Sequence, residues 1–123
     1  MVGVRRRIVA VATIGLAGFL LAACGAVNDN AVAACHQVNR AIATYEHALT
    51  LSGAAKEAAI NHATAQLDTA LGDAASATSQ DGSYNALMTT IGEAARVPLK
   101  NLVPSLRQQC GTILNPNPNQ PQP

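Results

Sequence analysis

Three cysteines carry most of the reactive chemistry in this 123-residue chain: Cys24, Cys35 and Cys110. A thiolate is a nucleophile and a metal ligand, and two thiols can oxidise to a disulfide. The nitrogen ligands are His36, His47 and His62, and none stands at a metal-binding spacing such as His-Glu-x-x-His. Glu46 and His47 are neighbours, so on a helix they point about 100° apart. No nucleophile elbow, phosphate loop or paired-carboxylate motif occurs. Tyr45 reads as a core residue with its hydroxyl at the edge. We expect no catalytic residues, no metal and no cofactor.

The setting of Cys24 differs from that of the other two. Arg5, Arg6 and Arg7 precede an uncharged, mostly apolar run of 14 residues, Ile8 to Leu21. A spanning helix needs about 20 such residues, so the run suits the apolar region of a secretory signal. It ends in Leu21-Ala22-Ala23-Cys24, which resembles the lipobox of bacterial lipoproteins. The resemblance covers about a fifth of the chain, and alanine richness fits the high-GC Gram-positive type. It implies a diacylglyceryl group on the Cys24 thiol and cleavage before Cys24. Small residues there allow close backbone approach by the peptidase. The alternatives are an ordinary signal cut near Ala31-Val32-Ala33, ten residues past the apolar run, or an uncleaved anchor.

With Cys24 lipidated, Cys35 and Cys110 remain as a pair. The exported side of a membrane permits disulfides, so a Cys35–Cys110 bond is expected, against the alternative of two buried thiols. These cysteines, with Tyr45 and His47, also resemble a family of small secreted, all-helical haem-binding proteins of high-GC bacteria. That family has cysteines near both ends of the domain and Tyr or His as iron ligands. The sequence departs from it after the first helix, where Leu49-Thr50-Leu51-Ser52-Gly53 replaces a His-Pro-x-x-Asn-like stretch. Large aromatic walls for a porphyrin are missing too. The resemblance implies an alternative role as a small apolar-ligand or haem-binding lipoprotein.

Removing residues 1–23 changes the composition. The formal charge of +1 becomes −2, with five bases against seven acids, and Phe19, the one phenylalanine, is lost. The weak charge and scarce aromatics exclude a nucleic-acid binder, which needs a basic stripe or stacking rings. Residues 24–95 hold two bases and seven acids, whereas residues 96–123 hold three bases and no acid. Pairing between a basic last helix and the acidic helices before it is expected. The alanine-rich core favours closely approaching helices.

Periodicity predicts four helices. The first spans about 30–50, capped by Asn28 or Asn30, with Cys35, Val38, Ile42, Tyr45 and Leu49 on one face. Ser52-Gly53 breaks the pattern. A second helix spans about 54–77 with Ile60, Ala63, Leu67, Ala70 or Leu71, and Ala74 inward. Ser79 to Gly82 reads as a turn. A third starts at Ser83, a candidate cap, with Tyr84, Leu87, Met88, Ile91 and Ala95 on one face. Val97-Pro98 ends it, because a residue before proline avoids the helical region. A fourth spans 98–109, with Leu99, Leu102, Val103, Leu106 and Cys110 inward, a kink at Pro104, and Gly111 as its C-terminal cap.

The expected fold class is therefore all-α: an antiparallel helical bundle, a long helical hairpin plus two shorter helices, closed by one disulfide. Had the last two helices formed one rod, Cys110 would lie far from Cys35, so the chain should reverse near Val97-Pro98. The alternative is a three-helix bundle with a kinked last helix. The expected domains are a cleaved signal peptide at 1–23, a lipidated N-terminus and tether at 24–29, a bundle at 30–114 and a disordered Asn/Pro/Gln tail at 115–123. The expected role is a non-enzymatic interaction or structural module of the cell envelope. It is held on the extracytoplasmic face of the cell membrane by the bilayer itself, through acylated Cys24, with a membrane or envelope protein as partner and no nucleic acid.

Overall fold

Among the described residues, four α-helices make up the fold, separated by short turns. The computed structural model describes residues 28–116 and 119. The leader, Cys24 with most of its tether, and most of the Asn/Pro/Gln tail lie outside the described residues.

Helix α1 spans Asp29–Ala48. Of the two asparagines expected to cap it, Asn28 does so. Its backbone is extended, and its Oδ1 accepts from the amides of Asn30 at 2.9 Å and Ala31 at 3.2 Å. Two of the helix's free N–H groups are satisfied in this way. The face turned inward carries Ala31, Ala34, Cys35, Val38, Ala41, Ile42 and Ala48. Tyr45 is half-buried. Leu49, expected on this face, is 53% exposed. The helix ends one residue earlier, and Ala48 takes the last core position.

Helix α2 spans Gly53–Gln80 and is longer than the expected 54–77. It opens on Gly53 at φ +59°, a left-handed conformation that glycine adopts without steric cost. At the other end, Ser79 and Gln80 belong to the helix, not to the turn. Ala77, fully buried, keeps this last stretch on the core. The turn starts at Asp81, whose carboxylate accepts from the Ser83 amide at 2.9 Å. Asp81 therefore takes the capping role expected of Ser83, and a short 3-10 turn, Gly82–Tyr84, follows.

Helix α3 spans Asn85–Gly92 and tightens into a 3-10 turn at Glu93–Ala95. Leu87 and Ile91 are buried, while Ala95, expected inward, is exposed because it lies in the tight turn. The chain leaves helical geometry at Arg96–Pro98, so α3 and α4 are not one rod. Helix α4 spans Leu99–Leu114, with Pro98 just before it instead of in its first turn. Gly111 does not end this helix. The chain stays helical to Leu114, where Ile113 and Leu114 pack on the core, and their burial offsets the cost of about 1 kcal/mol of a helical glycine.

All four helices contribute to one core. The α1–α2 contact is the most extensive, and α4 packs on both α1 and α3. Buried alanines recur at regular spacing on both long helices. Ala34, Ala41 and Ala48 on α1, and Ala63, Ala70 and Ala77 on α2, recur every seventh residue and are at most 1% exposed. Side chains this small let two helix axes approach at the near end of the usual 8–10 Å range.

Candidate functional site

The structure brings together one pair of the reactive residues. Cys35 of α1 and Cys110 of α4 form a disulfide with a Cα–Cα distance of 5.2 Å across 75 positions. Both are essentially without solvent contact. The rotation of α1 turns Cys35 toward α4 beside Val38 and Ile42. Leu99, Leu102 and Leu106 on α4 hold Cys110 on the facing side. Cys24 lies outside the described residues.

Among the described residues, three side-chain polar contacts join one helix to another. Arg107 of α4 pairs with Glu46 of α1, which supplies the expected link between the basic helix and an acidic one. Both side chains are about half exposed, so the pair is worth at most about 1 kcal/mol. Gln109 Nε2 donates to Thr90 Oγ1 at 3.1 Å, joining α4 to α3. Asn28 Nδ2 donates to Gln80 Oε1 at 2.8 Å, joining the start of α1 to the last residue of α2.

The histidines do not converge. His36, His47 and His62 are all exposed, and among the described residues no three His, Cys, Asp or Glu side chains are grouped to hold a metal ion. Tyr45 and His47 are two positions apart on one helix, so they project about 200° apart and cannot face a single iron. Tyr45 packs against the core while His47 points to solvent. No described helix is long and apolar enough to cross a membrane.

One concave feature was not legible from periodicity. A groove of about 320 Å³ lies between α2 and the α3 end with its following turn. Its apolar lining includes Ala65, Leu71, Ala94 and Ala95, with the buried Ile91 beneath, and its polar edge Asn61, Thr64 and Asp68. A second hollow of about 280 Å³ continues it along Ile60 and Val97 to Leu99, sharing Thr64, Ala94 and Ala95. The signal in the sequence was the run of small residues Gly92, Ala94 and Ala95, which leave space opposite α2. The inward-facing stripes alone do not mark it.

No protein-family model, curated protein or solved structure matches this chain.

Proposed function

We propose that this chain is an exported lipoprotein, a non-enzymatic helical module anchored to the extracytoplasmic face of the cell membrane by acylated Cys24. The observation that carries the reading is the Cys35–Cys110 disulfide. It fits an oxidising compartment and consumes two of the three thiols, leaving Cys24 at the end of its lipobox-like sequence for the lipid. Helix α1 begins at Asp29, five residues after Cys24. At no more than about 3.5 Å per residue, the tether spans less than about 18 Å. The module therefore sits beside the bilayer, within reach of a membrane or envelope protein as partner.

The arrangement we favour is a bundle in which α1 and α2 run antiparallel. Four residues connect Ala48 to Gly53, and the Asn28–Gln80 bond joins the opposite ends of the two helices. In the same reading α4 returns along α3, supported by the Gln109–Thr90 bond on either side of Pro98. A second role, holding a small apolar ligand, draws support from the groove beside Ile91.

The anchor is tested by the intact mass of protein extracted from membranes. The expected species starts at Cys24 and carries a diacylglyceryl group, and Cys24→Ser leaves the leader uncut. An unmodified chain starting elsewhere would overturn the proposal. The interaction role is tested by cross-linking in cells, where recovery of no reproducible protein partner counts against it.

A further inference from the structure

We propose that the groove between α2 and the α3 end binds a small apolar molecule bearing a primary amine, with its ammonium group at Asp68 and its apolar body over Ile91 and Gly92. This rests on the ligand-holding reading of the groove and is independent of the lipid anchor. At about 320 Å³ the groove falls at the lower end of the roughly 300–1,000 Å³ range of small-molecule sites. Gly92 keeps its floor open: a Cβ built there meets nothing nearer than Leu71 Cδ1, at 3.9 Å. The apolar body would cover Ala65, Leu71 and Ala94, removing their exposed surface from water.

Charge selects the head group. Asn61, Thr64 and Asp68 follow one another at steps of three and four along α2, so they form one edge of the groove. Among the described residues Asp68 has neither a salt bridge nor a hydrogen bond, whereas Glu93 and Arg96 at the far end neutralise each other. The groove thus presents one uncompensated carboxylate beside apolar walls. Thr64 Oγ1 donates to the Ile60 carbonyl at 3.1 Å, which leaves its lone pairs to accept from an ammonium. An anionic ligand would meet repulsion at the same place.

Three probes with one apolar body separate these contributions: 1-adamantanamine, 1-adamantanol and adamantane-1-carboxylate, titrated into the isotope-labelled full chain and followed by NMR. The amine should shift the amides of Asp68, Ile91 and Gly92 saturably and bind at least tenfold more tightly than the carboxylate. Asp68→Asn, a change at an exposed site, should abolish that difference. Gly92→Leu should fill the groove and abolish binding of all three, with helicity by circular dichroism retained. Equal binding of the three probes would overturn the amine preference while leaving a ligand site. No saturable shift with any probe, shifts mapping elsewhere, or groove shifts that follow protein concentration without a probe would overturn the site itself.

Discussion

The α-carbons of Cys35 and Cys110 stand 5.2 Å apart although 75 positions separate them in the chain. The bond ties the first turns of α1 to the last turns of α4 and so closes nearly the whole domain into one loop. On the chain-entropy model a loop this long stabilises the fold by about 4.5 kcal/mol. Among the described residues eight of the eighteen buried ones are alanine, so the core has less apolar area to replace that contribution. The double variant Cys35→Ala, Cys110→Ala should lose about 2–5 kcal/mol in urea unfolding. A loss below about 1 kcal/mol would show that helix packing alone holds the domain.

The alanine seam predicts intolerance of larger side chains. Ala41 is 1% exposed and Ala70 has no exposure, and both belong to the shared core of the two long helices. Ala41→Leu and Ala70→Leu should each cost about 1–3 kcal/mol by overpacking. Ala43→Leu, on the exposed side of α1, should stay within about 0.5 kcal/mol of the parent. Thermal melts of the three variants check the contrast, and equal effects at all three positions would argue against close helix approach.

Pro104 lies inside α4 and is exposed. It has no N–H to donate to the carbonyl of Lys100 one turn earlier, and its ring crowds that carbonyl. Pro104→Ala should therefore raise stability by about 2 kcal/mol, after allowing for the extra freedom of the unfolded chain. An unchanged or lower midpoint in urea would mean that the proline shapes α4 for its contacts with α1 and α3.

Asp81 predicts a pH effect of known sign. The Ser83 backbone N–H, and then the Ser83 hydroxyl, donate to its carboxylate and hold it below the ordinary aspartate value of 3.8. A depressed carboxyl contributes stability above its unfolded pKa and loses that contribution as pH falls through the folded value. Carbon-detected NMR should find Asp81 titrating below 3.8. Asp81→Ala should remove the acid-side loss of the α2–α3 turn seen in amide exchange. A carboxyl titrating at the ordinary value would contradict the cap.

Much of the helix plan was readable one residue at a time. Asn28 or Asn30 before an apolar period of three and four, the Ser52-Gly53 break and Val97-Pro98 all act through local backbone preferences. They marked the start of α1, the start of α2 and the break before α4. Local preference failed where packing outweighed it. Gly111 reads as a stop, yet Ile113 and Leu114 hold α4 helical beyond it. Leu49 reads as core from its spacing, yet the helix stops at Ala48 and leaves it in solvent. Ser83 reads as a cap, but the nearby Asp81 offers a charged acceptor to the same turn. The seven-residue alanine spacing was visible as letters. Its meaning depended on which face of α1 meets α2, and larger residues in the same helix drew the stripe toward Cys35 and Ile42.

Sequence alone pointed to the helical class and to the pairing of Cys35 with Cys110, both of which the structure contains. The helical class depends on residue type and spacing within short stretches, and the pairing followed from setting Cys24 apart by its apolar leader. Tertiary structure alone decided that Ala31, Ala34, Ala41, Ala48 and Ala77 are buried as well, that Tyr45 packs on the core while His47 is exposed, and that small residues near Gly92 open a groove beside Asp68. Those properties belong to the space between helices. They depend on how far apart the axes lie and how each helix is turned, and no single segment carries that information.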